Sequence, residues 1–292
     1  MLTARQLCDP GALRPLLARH GVSLRHALGQ NFLIADWVPQ RIALESGVDS
    51  DTGVLEVGPG VGALTARLCD AAGRVTALEL DRRLLPVLAE TVGTRENLVI
   101  RQGDVLKTDL AALAEETLPL PRRAAVANLP YYITTPALTA LLEAGCFQTL
   151  TVMVQREVAQ RLCAAPGGKD YGAFTLYCQY RSVPELLFEV PPDCFFPAPK
   201  VTSAVVRLTV RSAPPVSCED PQRLFRVIRA AFAQRRKTLK NGLLSAFPGL
   251  TAQAVADALA AQQLAPDIRG ERLSLEQLAR LSDALAGQGS GL

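Results

Sequence analysis

The stretch that decides the fold is VLEVGPGVGALTARLCDAAGRVTALEL, residues 54–80. A short apolar run enters a glycine-rich turn, a segment with helical spacing follows, and a second apolar run begins at Arg74. Strands that are separated by a helix pair in parallel, because the crossover brings the chain back to the same end of the sheet. The stretch therefore predicts a parallel βαβ unit.

The alternation of apolar runs and helical patterns continues beyond this unit. Residues 82–93 have helical spacing, and later apolar runs predict strands at residues 97–104, 124–128 and 149–155. Residues 183–210 are rich in β-branched, aromatic and proline residues, which predicts two antiparallel strands at the sheet edge around an irregular loop. We expect an α/β fold with a mainly parallel, doubly wound sheet.

The chain divides near residues 211–222, where three prolines and a change in charge indicate a linker. Only helical patterns follow this linker. We expect a catalytic domain over residues 1–212, with an N-terminal arm at residues 1–35, and a small all-α domain over residues 219–286. Residues 287–292 form a flexible tail in this prediction.

Composition argues against several classes of protein. Apolar residues make up 49% of the 292 residues, which is enough for a substantial core. The seven cysteines contain no C-x-x-C pair, and two histidines are too few for a histidine-based metal site or a Ser-His-Asp triad. No apolar run has the length of a membrane span. We expect a cytoplasmic protein with reduced cysteines, no bound metal and no contact with a membrane.

The glycine-rich turn places Gly58, Gly60 and Gly62 between a strand and a helix. Glycines let the backbone approach a ligand closely, and Glu79 at the end of the next strand can accept both hydroxyls of a ribose. These residues indicate a cofactor that contains a nucleoside. The spacing G-x-G-x-G differs from the G-x-G-x-x-G of dinucleotide sites and favours S-adenosylmethionine. The alternative is a tight turn with Glu79 as a surface acid.

Asp104 follows the third strand of this region, in the run RQGDVL. The carboxyl ends of parallel strands line the ligand crevice, so the Asp104 carboxylate can accept a hydrogen bond from an adenine amino group. The alternative is a loop aspartate that caps the next segment. Three such features at successive strand ends support a common binding site.

The segment AAVANLPYYITTP, residues 124–136, ends a strand with an amide, a proline and two tyrosines. The exocyclic amine of a base is a poor nucleophile, because its lone pair is delocalised into the ring. Two acceptors can orient this amine by taking hydrogen bonds from its N–H groups: the Asn128 side-chain oxygen and the Pro130 carbonyl. The Tyr131 ring can stack on the flipped base. These residues predict methyl transfer to such an amine. Core packing is the alternative for Tyr131 and our expectation for Tyr132.

Several motifs together resemble those of a known family. In chain order they are LGQNFL, EVGPGVGALT, NLPYYITTP, VMVQREVAQRL and CFFPAPKVTSAVVRL, and they run from residue 28 to residue 208. The chain closely resembles the ribosomal small-subunit RNA adenine N6-dimethyltransferases. It is similar, more distantly, to the eukaryotic dimethyladenosine transferases and the macrolide-resistance rRNA methyltransferases. The resemblance implies a Rossmann-like, S-adenosylmethionine-dependent methyltransferase fold.

The resemblance also implies a reaction. Two adjacent adenosines in the 3′-terminal hairpin of 16S rRNA are dimethylated within a pre-ribosomal 30S particle, and we expect the enzyme to be a monomer. The residues that the motifs assign to the cofactor are Asn31, Leu33, Gly58, Gly60, Glu79, Asp104 and Asn128. Of these, Asn31 and Leu33 close over the cofactor, and Asn128 faces the reaction centre. Phe195 and Phe196 stack on the target base opposite Tyr131.

The sequence after the linker predicts a helix with a basic stripe. At 100° per residue, five cations lie beside the apolar face of residues 225–243: Arg226, Arg229, Arg236, Lys237 and Lys240. Acids are missing from this stretch, and such cations can contact RNA phosphates without reading sequence. We expect Arg236, Lys237 and Lys240 to bind the rRNA. A solvated charged face is the alternative.

Three other functions fit parts of this pattern. A large-subunit rRNA methyltransferase of the macrolide-resistance type shares the fold, but the helical domain favours the small-subunit enzyme. An RNA-binding assembly factor with secondary chemistry would keep the cofactor pocket, but the intact NLPYY run argues for retained chemistry. A dinucleotide-dependent oxidoreductase is disfavoured by the glycine spacing and by the lack of a histidine near a strand end.

Overall fold

The computed structural model describes residues 2–22, 31–234 and 236–288. Residues 23–30 of the predicted arm and 289–292 of the predicted tail lie outside the described residues. The chain divides into two compact units, one of Met1–Ala159 with Val183–Val210 and the other of Gln160–Ser182 with Arg211–Leu292. Residues 160–182, which the sequence analysis placed in the catalytic domain, therefore group with the C-terminal helices.

The predicted fold class is confirmed by the sheet. The strands are β1 (Phe32–Leu33), β2 (Thr52–Val57), β3 (Arg74–Glu79), β4 (Leu98–Gln102), β5 (Arg122–Asn128), β6 (Thr149–Gln155), β7 (Ser182–Val190), β8 (Phe195–Phe196) and β9 (Ser203–Val210). Seven of them form one sheet in the order β4-β3-β2-β5-β6-β9-β7. Neighbours from β4 to β6 are parallel, and β9 is antiparallel to β6. The sheet is therefore mainly parallel.

Helices separate the parallel strands along the chain, as the alternating pattern predicted. The helices are α1 (Pro10–Arg19), α2 (Trp37–Glu45), α3 (Ala63–Ala71), α4 (Leu85–Thr91), α5 (Leu110–Thr117), α6 (Thr134–Glu143), α7 (Arg156–Leu162), α8 (Ala173–Arg181), α9 (Pro221–Phe232), α10 (Leu239–Ala246), α11 (Ala252–Ala261) and α12 (Leu275–Ala284). Within the described ranges, no helix is long and apolar enough to cross a membrane.

The strand order reverses between β2 and β5, which are neighbours in the sheet although two strands separate them in the chain. In open α/β sheets, ligands bind outside the carboxyl ends of the strands at such a reversal. β2 is buried at all its positions, as expected for a central parallel strand covered on both faces. The neighbouring strands β3 and β5 end in Glu79 and Asn128 at this edge.

β1 and β8 form a separate antiparallel pair, with Phe32 opposite Phe196 and Leu33 opposite Phe195. Side chains alternate along a strand, so the two pairs face opposite sides. Phe32 and Phe196 pack in the cluster that contains the α1 leucines, whereas Leu33 and Phe195 pack in the cluster that contains α2. We did not expect this pair from the sequence, because a strand of two residues has no recognisable alternation.

The second unit has a helical core to which α8, α9, α10, α11 and α12 all contribute. The prediction of one continuous basic helix through residues 225–243 is wrong. α9 ends at Phe232 and α10 begins at Leu239, where the Thr238 hydroxyl accepts from the Asn241 N–H at 3.3 Å. The break lets α10 pack back against α9, so the cations of this stretch do not lie on one straight helix.

Candidate active site

A cleft at the carboxyl ends of the parallel strands brings most of the predicted site residues together. It is open to solvent, and the empty space in and over it amounts to about 1110 Å³. The predicted residues that line it are Asn31, Leu33, Gly58, Gly60, Glu79, Asp104, Asn128, Pro130, Tyr131 and Phe195. They come from loops and strand ends that are far apart in the chain, and the sheet places them at one edge.

The glycine-rich turn adopts a backbone that favours glycine. Gly58 has a φ of +70° and Gly60 a φ of +61°, in the left-handed region. A Cβ atom at Gly60 would lie 3.2 Å from a ring carbon of Phe32, so the turn is closely backed by β1. The Gly60 N–H points toward Glu79 and donates to its Oε2 at 3.3 Å. The turn thus lies directly against the carboxylate that ends β3.

Glu79 is a buried carboxylate, only 5% exposed. Its Oε1 accepts a hydrogen bond from the Asp81 N–H at 2.7 Å, so both oxygens have backbone donors. Burial raises the pKa of Glu79 above its ordinary value, and these two backbone hydrogen bonds oppose the shift. A carboxylate oxygen can accept more than one hydrogen bond, so Glu79 retains capacity for two hydroxyl groups.

Asp104 combines the two interpretations that the sequence left open. Its Oδ1 accepts from the Leu106 N–H at 3.0 Å, which is the capping role. Its side chain also belongs to the cleft wall. Because one oxygen is enough for the cap, the carboxylate can accept a further hydrogen bond from a ligand.

Asn128 ends β5 and points into the cleft. Its Nδ2 donates to the Asn31 carbonyl oxygen at 3.4 Å, so the amide oxygen is the end available to a donor in the cleft. The next residue, Leu129, is 1% exposed, and its N–H donates to the Met153 carbonyl of β6 at 3.2 Å. The chain is therefore anchored immediately after Asn128.

The Pro130 carbonyl already has donors in the structure. The Ile133 N–H donates to it at 3.1 Å, and the Thr134 hydroxyl approaches at 3.4 Å. A carbonyl oxygen has two lone pairs, so a third donor would have to displace the longer contact. The geometry thus offers Asn128 more directly than Pro130 as an acceptor.

The two tyrosines of the segment differ in their surroundings. The Tyr131 hydroxyl lies 2.7 Å from Oγ of Ser203, and burial raises the pKa of Tyr131. Tyr132 is 56% exposed and lines the cleft. Core packing for Tyr132 is therefore wrong. The short 3-10 turn Tyr131–Ile133 directs the two neighbouring rings differently, which sequence spacing did not reveal.

The two phenylalanines of β8 point to different places. Phe195 is 3% exposed and lines the cleft, whereas the Phe196 ring lies 4.7 Å from the Arg14 guanidinium of α1. Alternation along the strand separates them. Phe195 thus lines the same cleft as Tyr131, and Phe196 packs with the N-terminal helix.

Sequence reasoning missed Glu56, which also lines the cleft. It lies inside β2 and is 1% exposed, and its Oε2 has no hydrogen-bond partner among the described residues. Burial raises the pKa of Glu56 to about 8. The sequence did contain an indication of this residue, because burying a carboxyl group in a largely apolar central strand is energetically costly and therefore unusual.

The predicted RNA-binding cations lie in the second unit. Arg236 and Lys237 are exposed in the connection between α9 and α10, and Lys240 is half-buried in the first turn of α10. Arg226, further back on α9, lies 3.9 Å from the Asp220 carboxylate. Across the described ranges, no three acidic, histidine or cysteine side chains cluster in a way that would hold a metal ion.

The doubly wound sheet, the glycine turn and the strand-end Asn-Leu-Pro-Tyr segment define a Rossmann-like methyltransferase. Comparison with known families narrows this class. The family model described as ribosomal RNA adenine dimethylase matches residues 21–286. The chain belongs to this family.

Individual relatives agree with the family assignment. "Ribosomal RNA small subunit methyltransferase A" of Geobacillus thermodenitrificans (strain NG80-2) is 47% identical, over 96% of this chain and 97% of that protein. Among solved structures, the 23S rRNA methyltransferase ErmE is 29% identical with a TM-score of 0.67, over 87% of this chain and 99% of its own. A dimethyladenosine transferase from Plasmodium falciparum, 22% identical, has a TM-score of 0.70 over 85% and 95% of the two chains, which shows the shared fold.

Proposed function

We propose that this chain transfers methyl groups from S-adenosylmethionine to N6 of two adjacent adenosines in the 3′-terminal hairpin of 16S rRNA, within a pre-ribosomal 30S particle. The relatives of 42–47% identity are small-subunit enzymes by name, whereas ErmE, a large-subunit enzyme by name, is 29% identical. The observation that carries the proposal is the Asn128 amide, whose nitrogen donates to Asn31 while its oxygen remains for a substrate amine in the cleft.

The cleft fits a nucleoside cofactor that has no phosphate. Glu79 can accept the two ribose hydroxyls, and Asp104 can accept from the adenine amine. Gly58 and Gly60 let the backbone pass close beneath the ligand, and Asn31 and Leu33 close the cleft from the β1 side. The cofactor, when bound, supplies an electrophilic methyl group. Cofactor contacts and base contacts thus meet at Asn128.

The chain activates the amine by orientation. Asn128 Oδ1 accepts from an N–H bond of N6, which draws the nitrogen lone pair out of conjugation with the ring and toward the methyl group. The Pro130 carbonyl is the second acceptor in this proposal, provided that its longer contact with Thr134 is displaced. No strong base is required, because the proton can leave after the nitrogen has been alkylated.

The target base is held between two rings in this proposal. Tyr131 stacks on one face of the flipped adenine and Phe195 on the other. Both rings line the cleft, and Tyr131 is the more accessible of the two. Phe196 supports the wall indirectly through β8, since its own ring packs against Arg14.

The helical domain, residues 219–286, binds the RNA through Arg236, Lys237 and Lys240 in this proposal. Exposed cations contact phosphates and position RNA without reading its sequence. Ribosome assembly would place this activity in the cytoplasm, and we propose that the enzyme acts as a monomer.

One assay tests the proposed function. The protein is incubated with labelled S-adenosylmethionine and either unmethylated small subunits or large subunits, and the labelled nucleosides are mapped. We expect dimethyladenosine at two adjacent positions of 16S rRNA. Label on 23S rRNA alone would favour an activity like that named for ErmE, and no label on either RNA would refute the proposal.

A further inference from the structure

A hydrogen bond joins the cleft to the sheet. The Tyr131 hydroxyl lies 2.7 Å from Oγ of Ser203. Tyr131 starts a single 3-10 turn and is half-buried, whereas Ser203 starts β9 and is 0% exposed. The bond thus connects the ring in the cleft to a buried residue that is 72 positions away in the chain.

Ser203 is held firmly by the backbone around it. Ser203 pairs with Gln155 at one end of the β6–β9 ladder, which continues to Thr149 opposite Thr209. The Arg156 N–H extends this pairing by donating to the Thr202 carbonyl at 3.0 Å. A serine side chain has a single heavy-atom torsion, so its hydroxyl oxygen has only three staggered positions once the backbone is fixed.

The Tyr131 ring has more freedom at its other end. Tyr131 belongs to a short turn in which the Pro130 carbonyl accepts a hydrogen bond from the Ile133 N–H. Two torsions separate the backbone from the ring plane. The hydroxyl oxygen lies on the axis of the second torsion, so a hydrogen bond at the far end of the ring restricts the first torsion, which sets where the ring lies in the cleft.

We propose that Ser203 is a positioning residue for methyl transfer, which holds the Tyr131 ring in place for stacking on the target adenine. The inference rests on the proposed function, since it requires a base in the cleft. Stacking depends on where the ring lies relative to the base, so a ring whose position is fixed before binding holds the base closer to the reactive geometry. Ser203 itself is buried and does not line the cleft.

The expected signature is a loss in kcat without a loss in binding. RNA affinity comes mainly from phosphate contacts elsewhere, so KM for the RNA should change little. A neutral hydrogen bond of ordinary strength corresponds to a roughly threefold to tenfold lower kcat when it is removed. The dissociation constant of S-adenosylmethionine should stay within about twofold, since no cofactor contact is altered.

The test is a double-mutant comparison of Ser203→Ala, Tyr131→Phe and the double variant. Each single change removes one end of the same bond, so all three proteins should lose kcat by the same factor. Losses that multiply in the double variant would mean that Ser203 acts independently of Tyr131, which overturns the proposal. A wild-type kcat in Ser203→Ala would overturn it as well.

Ser182→Ala is the matched control. Ser182 is also 0% exposed, and its hydroxyl donates to the Cys178 carbonyl at 2.8 Å. Its loss should lower thermal stability as much as Ser203→Ala does while leaving kcat intact. If Ser203→Ala proves less stable than this control, the kcat of Tyr131→Phe alone decides the role of Ser203. Tyr131→Phe leaves β9 unchanged and must show the threefold to tenfold loss of kcat. If the wild type labels 23S rRNA, the proposed function fails, and the comparison with that RNA still decides the role of Ser203.

Discussion

The side-chain nitrogen of Asn128 lies 3.4 Å from the carbonyl oxygen of Asn31, and this contact joins the end of β5 to the residue that precedes β1. Only the amide nitrogen can donate to a carbonyl, so the contact assigns the oxygen of Asn128 to the cleft. The same residue thus contacts the segment that precedes β1 and offers an acceptor to the cleft.

Asn128→Ala should lower kcat for rRNA methylation by at least about 100-fold, the loss typical when one group that stabilises the transition state is removed. Cofactor affinity should fall far less, because Glu79 and Asp104 remain. Single-turnover transfer and calorimetric titration of S-adenosylmethionine measure the two effects. Asn97→Ala is the control, since Asn97 also donates to backbone carbonyls, of Cys69 and Ala72, but outside the cleft. If Asn128→Ala loses cofactor affinity and turnover by the same factor, Asn128 acts only in binding the cofactor.

Glu79→Gln should weaken S-adenosylmethionine binding by about tenfold to 100-fold, because an amide has only one oxygen to accept the two ribose hydroxyls that the proposed function assigns to the carboxylate. In the wild type, affinity should fall as pH drops through the pKa of Glu79, which burial raises above 4.5. Protonation removes the acceptor, so the loss appears on the acid side. Titration calorimetry at several pH values should show this slope in the wild type and in Glu90→Gln, and not in Glu79→Gln.

Glu56→Gln should stabilise the folded protein in alkaline buffer. Burial raises the pKa of Glu56 from 4.5 to about 8, so the folded state holds a proton that the unfolded state has released. Stability is therefore fully present below pH 4.5 and is lost as pH rises toward 8. Glu56→Gln should therefore raise the free energy of unfolding by on the order of a few kcal/mol at pH 9 and by little at pH 5.

Urea unfolding of the wild type, Glu56→Gln and the exposed control Glu115→Gln at both pH values checks this expectation. A parallel change in all three proteins would show that Glu56 is not the source of the pH dependence.

Neutralising Arg236, Lys237 and Lys240 together should weaken binding to small subunits and flatten its salt dependence. Each lost phosphate contact reduces the slope of log affinity against log salt by roughly 0.7–0.9. Filter binding at several salt concentrations gives both quantities. Arg280→Ala is the control, because Arg280 is an exposed cation of the same unit that pairs with Glu276. If the triple variant keeps the affinity and the salt dependence of the wild type, these cations form a solvated surface and do not bind RNA.

Gly242→Ala should destabilise the helical unit, although alanine favours a helix over glycine by about 1 kcal/mol. A Cβ atom at Gly242 would lie 2.7 Å from the Ala230 carbonyl oxygen, so α10 would have to move away from α9. Overpacking of this kind costs roughly 1–3 kcal/mol. Thermal unfolding of Gly242→Ala is compared with that of Ser245→Ala, on the exposed side of α10. Ser245→Ala should leave the Tm unchanged or raise it. A gain in Tm for Gly242→Ala would contradict the close approach.

Much of the site could be predicted from sequence because parallel strands end at the same edge of a sheet. Glu79 and Asn128 close β3 and β5, and Asp104 follows β4, so strand ends alone brought them to one cleft. Phe196 could not be separated from its neighbour Phe195 in this way, since the orientation of a two-residue strand depends on what it pairs with. The pairing of Phe196 with Phe32 supplies that answer.

The sequence by itself determined the parallel sheet, the glycine turn and the acceptors at the strand ends, because period and spacing act over a few residues. Tertiary structure decided the break between α9 and α10, the exposure of Tyr132, the burial of Glu56 and the contact of Tyr131 with Ser203. Each of these depends on which distant segments pack together. Burial and hydrogen bonding across the fold are properties of that packing, and no local pattern specifies them.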